Sequence, residues 1–293
     1  MNVNSLPNYQ DLLCSEGKIR QYETISYIKL EEIGKGKYKT CWRAQFGYDT
    51  RAVLKQNFQE KDVDELIHYL NVIQTLKGHP SIAVTEETFW TCGEAEGTYK
   101  FFQIQTCYTC DLVSAVNGGL FVDNPVLIQV AFRHLADGLA FIHERGVVVK
   151  DIKMDNIYLT HSLTQVQFVY GDFGGADLKD KQSSLNTVSA PYASPQRLRR
   201  ELSVLADDVF SLGICFAAIQ KGEVKFRFPI DFAKTANLPI DDAIEKFIKK
   251  TVFPQFRPLI SPMLSVQRLD RPTAIELKKN VRGVKLHKRT NSI

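Results

Sequence analysis

Residues 147–156 read Val147-Val148-Val149-Lys150-Asp151-Ile152-Lys153-Met154-Asp155-Asn156, and a short hairpin later residues 171–174 read Gly171-Asp172-Phe173-Gly174. The β-branched run that opens the first stretch predicts a buried strand. The loop after it carries carboxylate, ammonium and amide groups, and the second stretch adds another carboxylate, Asp172. How the other segments are interpreted depends on the role of these polar groups.

The polar groups of these two stretches suit a polyphosphate with its magnesium ions. A carboxylate accepts a hydroxyl proton, a carboxylate and an amide oxygen hold hard cations, and a lysine neutralises a transferring phosphate. The alternative is that Asp151 and Asp172 only cap turns. Either stretch alone leaves both interpretations open.

Composition places the chain among ordinary globular proteins. It has 293 residues, 44% hydrophobic and 24% charged, which suits one large or two modest domains. The net charge of +4 indicates no nucleic-acid-binding surface. The N-terminus lacks the features of a signal peptide, and the apolar run 209–219 is too short to span a bilayer. We expect a soluble, cytoplasmic monomer with no transmembrane segment and no nucleic-acid partner.

The cysteines are scattered along the chain, as expected for reduced cytosolic thiols. They are Cys14, Cys41, Cys92, Cys107, Cys110 and Cys215. The Cys107-x-x-Cys110 pair has no second pair and no flanking histidine. We therefore interpret it as two small residues between a strand and a helix rather than as a zinc or redox site.

Two glycines one residue apart, Gly34 and Gly36, let the backbone turn tightly and approach a ligand closely. Such a pair alone is weak, because most are simple turns. Here strand-like sequence flanks the loop, and the apolar strand 52–54 ends in Lys55. Lys55 taken alone would be an exposed lysine at a strand edge.

The remaining periodicity predicts a strand-rich first part and a helical second part. Leu66, Leu70, Ile73 and Leu76 lie at helical spacing, and Gly78 and Pro80 end that helix. Strands are predicted at 88–92, 100–105, 158–159 and 166–170. Further helices are predicted at 126–145, 206–220, 241–250, 259–264 and 273–279.

These motifs, in this order over roughly residues 25–279, resemble the eukaryotic-type protein kinase catalytic domain of the serine/threonine class. Gly34-x-Gly36 resembles its glycine-rich loop, and Val53-Leu54-Lys55 its third strand. The stretch 150–156 resembles its catalytic loop, and Asp172-Phe173-Gly174 its metal-binding motif. The later matches are Ser194-Pro195-Gln196, Asp208-Val209-Phe210-Ser211-Leu212-Gly213 and Asp270-Arg271-Pro272-Thr273.

The resemblance implies an α+β, bilobal fold. Its small N-lobe, residues 25–106, would hold an antiparallel sheet with one helix, and its C-lobe, residues 107–280, would be mostly helical. An N-terminal arm (1–24) and a basic tail (281–293) would flank this domain. The tail would dock on an acidic surface or membrane, or simply be solvated, and we favour the latter.

The resemblance also implies transfer of the γ-phosphoryl group from ATP, with Mg²⁺, to a hydroxyl of a protein substrate. Asp151 would accept the hydroxyl proton and Lys153 would neutralise the γ-phosphate. Asn156 and Asp172 would hold magnesium, and Lys55 would bind the α- and β-phosphates. Ser189 would contact Asp151 and Lys153.

The nucleotide site that the resemblance implies contains residues from several segments. Cys41 and Val53 would cover the adenine, Tyr158 would lie beneath it, and backbone between Gln105 and Cys107 would hydrogen-bond to it. Gln105 and Thr106 are alternative gatekeepers. The full set is Ile33, Gly34, Gly36, Tyr38, Cys41, Val53, Lys55, Gln105, Thr106, Cys107 and Tyr158.

Six positions depart from the family pattern: Lys39 for glycine, Val149 for histidine, Lys150 for arginine, Met154 for proline, Gln196 for glutamate, and the helix glutamate that pairs with the strand lysine. We expect that glutamate near Tyr69 or Leu70, and neither is acidic. Glu65, one turn earlier on the same helix face, is a candidate partner for Lys55. Glu65 as a merely solvated residue is equally compatible with the sequence.

Two functional hypotheses follow. The first is an active serine/threonine kinase, which we favour because the phosphate- and metal-handling side chains are present. The second is a kinase-fold scaffold, or pseudokinase, with weak or no catalysis, motivated by the absent glutamate. Ser183, Ser184 and Thr187 are candidate regulatory phosphosites that Lys150 could meet; a loop with no switch is the alternative. Substrate and pathway cannot be identified from the sequence.

Overall fold

The computed structural model describes residues 28–35, 39–92, 94–161, 165–178, 189–222 and 227–283. The predictions for the N-terminal arm, for Gly36 and Tyr38, for Ser183, Ser184 and Thr187, and for most of the basic tail lie outside the described residues.

The chain divides into two compact units. The first contains residues up to Gly78 together with Ala83–Tyr108, and the second contains His79–Ile82 and the chain from Thr109 onward. Among the described residues, the first unit holds a sheet and one α-helix and the second is mostly helical, which confirms the predicted α+β class.

The first unit is built on a five-stranded antiparallel sheet. Its strands are β1 (Ile28–Lys35), β2 (Lys39–Phe46), β3 (Asp49–Gln59), β4 (Thr85–Cys92) and β5 (Thr98–Thr106), in the order β1-β2-β3-β5-β4. Each neighbouring pair runs antiparallel. In such a pair, directly opposed residues point to the same face of the sheet. The register therefore shows which of the two faces each described side chain of the sheet points to.

One helix, α1 (Val63–Thr75), packs on this sheet as its apolar spacing predicts. Its Leu66 and Leu70 are buried against Phe58 of β3 and Phe101 of β5. The chain then turns through Gly78 at φ 96°, a conformation that glycine adopts without strain.

The second unit contains eight α-helices among the described residues. They are α2 (Leu112–Asn117), α3 (Pro125–Glu144), α4 (Pro195–Leu198), α5 (Leu205–Lys221), α6 (Pro229–Ala236), α7 (Ile240–Thr251), α8 (Arg257–Met263) and α9 (Ala274–Arg282). Its short 3-10 helices among the described residues are Met154–Asn156, Phe173–Gly175, Ala190–Tyr192, Pro254–Phe256 and Arg268–Asp270, and one more, Glu60–Asp62, lies in the first unit. Helices α2, α4 and α6 were not predicted from the sequence, because they are short and have no extended apolar period.

The second unit also contains two small sheets, which flank its loops. Strands β6 (Cys110–Asp111), β8 (Ile157–His161) and β9 (Val166–Tyr170) form one, and β7 (Val147–Val148) pairs with β10 (Asp177–Leu178). The predicted pairing of β8 with β9 is confirmed. Strand β10 was not predicted, because two residues in a polar segment give no periodic signal.

Helix α3 forms the core of the second unit together with α5. Asn124 caps α3 by accepting a hydrogen bond from the Leu127 N–H at 3.1 Å, and Pro125 follows it, as predicted for a helix start. Phe132 of α3 stacks on Phe216 of α5 with ring centroids 4.0 Å apart. Within the described chain, α3 is the single helix long and apolar enough to cross a membrane, and most of its apolar residues are buried in this core.

A buried ionic network joins the start of α5 to the loop before α9. Arg271 donates to the Asp207 carboxylate at 3.1 Å and to the Gln196 amide oxygen at 2.7 Å. Burial lowers the pKa of Arg271, and the Asp207 carboxylate opposes that effect. Gln196 therefore substitutes as a neutral acceptor for the glutamate of the family pattern, and Asp207 supplies the negative charge.

We expect Asp207→Asn to lower the free energy of unfolding by about 3–5 kcal/mol, because it leaves a buried guanidinium without its counter-charge. The Arg271 side chain is 0% exposed, whereas Asp49, which pairs with Arg51 at 3.5 Å, is 69% exposed. Asp49→Asn is the matched control and should cost less than about 1 kcal/mol. Urea unfolding measures both, and equal losses would contradict this ranking.

Candidate active site

A buried carboxylate on α5 positions the catalytic-loop stretch. Asp208 accepts hydrogen bonds from the Val149 N–H at 2.8 Å and from the Lys150 N–H at 2.9 Å. His143 of α3 lies 3.1 Å from the same carboxylate. These bonds hold Lys150 at φ 66°, a left-handed conformation that is costly for a residue with a side chain. The sequence showed an acidic residue at a helix start but not this role.

Asp151 lies at the centre of the loop's polar groups. Its Oδ1 accepts from the Ser189 hydroxyl at 2.6 Å, and its Oδ2 accepts from Lys153 Nζ at 2.7 Å. Asn156 Nδ2 donates to the same Oδ2 at 3.2 Å. The structure thus brings together the predicted Asp151, Lys153, Asn156 and Ser189.

Asn156 links this cluster to the second stretch. Its Nδ2 donates to the Asp151 carbonyl at 3.0 Å, and its own carbonyl accepts from the Gly171 N–H at 2.8 Å. A Cβ on Gly171 would lie 2.1 Å from the Tyr158 ring, so glycine is required for this close approach. Tyr158 of β8, predicted beneath the adenine, therefore packs against the backbone that leads to Asp172.

Asp172 is exposed and takes up φ 47°, while the next residue, Phe173, is buried. The Nδ2 of Asn156 is bonded to Asp151, so its Oδ1 is the atom that would hold a cation. A carboxylate and an amide oxygen are hard ligands, so the chemistry of these two residues fits Mg²⁺. The described residues contain no cluster of three or more His, Cys, Asp or Glu that would bind a metal without substrate oxygens or water.

Lys150 does not have the position that was predicted for it, in which its ammonium group would contact a phosphate on Ser183, Ser184 or Thr187. Its side chain is 4% exposed and forms an ion pair with Asp177 of β10, which is 1% exposed. Because β10 pairs with β7, this contact ties the chain after Phe173 to the strand before the catalytic loop. The charge of Lys150 is already balanced by a carboxylate, which corrects the prediction.

Removing one partner of this buried pair should destabilise the protein by about 3–5 kcal/mol. We expect that loss for Lys150→Met, and we expect the double variant with Asp177→Leu to recover most of it, because no buried charge is left. Denaturant unfolding over the full double-mutant cycle measures the coupling. A harmless Lys150→Met would show that the lysine is solvated.

In the first unit, Cys41 and Arg43 of β2 lie close to Cys107, at the end of β5. Burial raises the pKa of the Cys41 thiol to about 11, and proximity to Cys107 adds to the shift. Contact with Cys107 raises the pKa of Arg43, which also forms an ion pair with Glu31 at 2.5 Å. Gln105, one of the two predicted gatekeepers, donates to the Thr85 hydroxyl at 3.2 Å.

The register of the sheet separates Cys41 from Val53. Cys41 is opposite Leu54, and Leu54 is opposite Gln103, whose amide donates to the Tyr69 hydroxyl of α1 at 2.7 Å. This row therefore lies on the face that carries α1. Val53 lies on the other face, buried with Trp42, so the prediction that Cys41 and Val53 share one surface is wrong in this register.

Lys55 also points away from α1. It is opposite Thr40 and Phe102, and Phe102 packs with the buried Trp42 and Val53 of that other face. Lys55 forms no ion pair with Glu65 or with any other residue that the structure describes, and Glu65 is exposed. The structure thus shows Glu65 as the solvated residue that the sequence allowed, and its pairing with Lys55 stays a prediction.

Comparison with known proteins agrees with the fold and the loop geometry. The family model described as "Protein kinase domain" matches residues 27–281, so the chain belongs to the protein kinase domain family. It is 25% identical over 284 residues to a serine/threonine-protein kinase WNK of Caenorhabditis elegans, covering 91% of this chain and 15% of that protein.

Two further relatives show similar identity. A Wee1-like protein kinase of Oryza sativa subsp. japonica is 25% identical over 283 residues, covering 92% of this chain and 49% of that protein. A serine/threonine-protein kinase ULK3 of Xenopus laevis is 23% identical over 245 residues, covering 80% of this chain and 49% of that protein. The chain thus spans about half or less of the length of these relatives.

Proposed function

We propose that the chain is an active kinase that transfers the γ-phosphoryl group of ATP to a serine or threonine hydroxyl of a protein substrate. The observation that carries the proposal is the hydrogen-bonded group of Asp151, Lys153, Asn156 and Ser189 in the second unit. Such groups act by positioning and by charge, which is what phosphoryl transfer requires of a protein.

Asp151 is the base that orients the attacking hydroxyl. The carboxylate is 18% exposed, and Lys153 and Asn156 fix its Oδ2. A substrate hydroxyl that donates to this carboxylate is aligned for attack and can pass its proton to it. Lys153, at 25% exposure, can leave Asp151 for the γ-phosphate as negative charge develops there.

Asn156 and Asp172 would hold magnesium. When bound, the metal neutralises phosphate charge. The exposed carboxylate of Asp172 and the amide oxygen of Asn156 are hard oxygen ligands, which suit that cation.

Adenine recognition is proposed for backbone between Gln105 and Cys107, with Cys41 above the base. The loop that follows Ile33 and Gly34 would cover the phosphates with backbone N–H groups. Lys153 and Ser189 support the serine/threonine class, which the resemblance implies for a lysine two residues after the catalytic aspartate. We also propose that the protein is soluble, cytoplasmic and monomeric.

We expect Asp151→Asn to lower kcat by about 100- to 10,000-fold, the usual contribution of a positioned general base. Binding of Mg-ATP should persist, because the substitution leaves the nucleotide contacts in place. At ATP near 100 times its Kd, binding adds about 2.7 kcal/mol of stability to wild type and variant alike. Labelled-phosphate transfer and thermal unfolding with and without Mg-ATP measure the two effects.

The competing function is a kinase-fold scaffold without catalysis. Two observations favour this scaffold. Lys55 points to the face of the sheet opposite α1, and it forms no ion pair with Glu65, whereas the family aligns its nucleotide through a lysine–glutamate pair. Phosphate transfer by the wild type no greater than that of Asp151→Asn, together with an Mg-ATP-dependent stabilisation, would establish the scaffold. Transfer that depends on Asp151 would exclude it.

Regulation at Ser183, Ser184 or Thr187 is a second proposal. Because Lys150 already pairs with Asp177, a phosphate on these residues would need another cation. Replacing all three by alanine should lower the activity to that of the unphosphorylated protein, and full activity retained would show a loop with no switch. A loss of activity after that replacement, or after phosphatase treatment of the wild type, would show that phosphorylation is required.

A further inference from the structure

A short segment between α1 and β4 belongs to the second unit. His79–Ile82 is part of that unit, although the chain up to Gly78 and Ala83–Tyr108 belong to the first. Ser81 is 2% exposed and Ile82 is 5% exposed. We call these four residues the docked segment. A segment this short and this buried needs specific contacts that hold it in place.

The docked segment contacts the end of β9. The Ser81 carbonyl accepts from the Tyr170 N–H at 2.8 Å, and the Ser81 hydroxyl accepts from the Gln167 amide at 3.2 Å. Ile82 forms a parallel bridge with Tyr170. The Tyr170 hydroxyl in turn donates to the Leu135 carbonyl of α3 at 2.8 Å. The docked segment and α3 therefore hold the same residue of β9.

Tyr170 lies two residues before Asp172. A Cβ on Gly138 of α3 would lie 2.8 Å from the Ser81 Cβ and 3.0 Å from the Tyr170 ring, so α3 is in close contact with both residues. Side chains packed this closely cannot shift independently of one another. The position of Ser81 therefore helps to set the direction in which the chain reaches Asp172.

A neutral histidine holds Ser81. The Nδ1 of His79 accepts from the Ser81 N–H at 3.1 Å, and its Nε2 lies 3.3 Å from the Asp137 carboxylate of α3. The His79 ring lies 4.4 Å from the Phe141 ring. Because Nδ1 can accept only when it carries no proton, the proton is on Nε2 and is donated to Asp137. The neutral imidazole satisfies both contacts.

A second proton on His79 removes one of these contacts. In the charged imidazole both ring nitrogens are donors, so Nδ1 would face the Ser81 N–H, which is also a donor. That N–H would then have no acceptor, in a residue that is 2% exposed. A buried N–H without an acceptor is costly. Protonation of His79 therefore opposes docking of the segment.

The charges around His79 favour the neutral form. Burial of the ring lowers the pKa of His79, and Lys278 of α9 and Arg145 of α3 lower it further, against the opposing effect of Asp137. Lys278 forms an ion pair with the same Asp137 carboxylate, which weakens that opposition. An unfolded histidine has a pKa of about 6.5. The contribution of His79 to stability is therefore complete above that value and is lost as the pH falls through its lower, folded pKa.

A second histidine accepts a hydrogen bond from β9. The Nδ1 of His134, on α3, accepts from the Phe168 N–H at 3.4 Å, so this imidazole is also neutral in the folded protein. Burial lowers the pKa of His134, Arg133 lowers it further, and Asp137 opposes the change. The two histidines therefore respond to acid in the same direction, one beside β9 and one in the docked segment.

We propose that the docked segment is a pH-dependent switch: neutral His79 holds it in place, and a proton on His79 releases it together with the end of β9. His134 acts in the same direction. His79 is a positioning residue, because it acts on Asp172 only through Ser81 and Tyr170. The effect on catalysis rests on the proposed kinase function, in which Asp172 holds magnesium, whereas the release of the segment does not.

The decisive comparison is His79→Asn against His79→Ala. An asparagine oxygen accepts from the N–H two residues later but takes up no proton, whereas alanine offers no acceptor. Labelled-phosphate transfer by the full chain is measured at pH of about 7.5 and about 5.5, on either side of the ordinary histidine pKa. Every other titrating group is common to these proteins, so their ratios isolate the effect of residue 79.

We expect kcat of the wild type to fall about tenfold more in acid than kcat of His79→Asn, as for one buried N–H that loses its acceptor. His79→Ala should be low at both pH values, because it resembles the protonated wild type. Equal losses in acid for wild type and His79→Asn would overturn the proposal. So would a His79→Ala variant that is fully active near neutral pH.

The surrounding charges give a second test, in which the direction of the change matters. Lys278→Met leaves Asp137 free to favour the proton, so it should move the loss of activity to higher pH. Asp137→Asn keeps an acceptor for Nε2 but removes the charge, so it should move the loss to lower pH. Lys279→Met, an exposed neighbour on α9, is the matched control and should move nothing. Shifts of equal sign for the first two variants, or no shift in either, would contradict the switch.

Amide hydrogen exchange separates failure of this inference from failure of the proposed function. It is measured on the full chain at both pH values and normalised to the intrinsic exchange rate at each. We expect the Ser81 and Tyr170 amides to lose protection in acid in the wild type but not in His79→Asn, whether or not phosphate is transferred. Such a loss in a protein that transfers no phosphate would support the switch and refute only the proposed function. Unchanged protection in acid would overturn the switch even in an active kinase.

Discussion

The Asp208 carboxylate is the group on which the geometry of the catalytic loop depends. It is 1% exposed and accepts two consecutive backbone N–H groups, those of Val149 and Lys150. Those bonds offset the left-handed strain at Lys150, whose side chain is then buried against Asp177. Asp151 is the next residue. The backbone bonds to Asp208 and the buried Lys150–Asp177 pair therefore fix the chain just before it and orient its side chain.

Much of the second unit could be predicted because its signals are local. Helix α3 has an apolar period and a cap, and the polar residues of the catalytic loop lie close together in sequence. The partners of Lys150 and Arg271 could not be predicted as easily. Asp177 lies on a strand of two residues, and Asp207 was visible only as an acid at a helix start.

The first unit shows why the face of a strand side chain is hard to predict. Residues 52–54 are apolar at every position, so the sequence does not reveal which side chains of β3 face the helix. Lys55 and Gln56 are neighbours, and a shift of one residue exchanges their faces. Only the pairing with β2 and β5 decides between them, and it places Gln56 and Lys39 on the side of Tyr69.

Membership of the protein kinase domain family leaves the acceptor residue to experiment, and phosphoamino-acid analysis tests the account most directly. The full chain is incubated with Mg²⁺ and γ-labelled ATP, with a generic protein substrate, and the labelled protein is hydrolysed. The hydrogen-bonded group of Asp151, Lys153 and Ser189 predicts label in phosphoserine and phosphothreonine. No label above that of an Asp172→Ala control, or label confined to phosphotyrosine, would contradict the account.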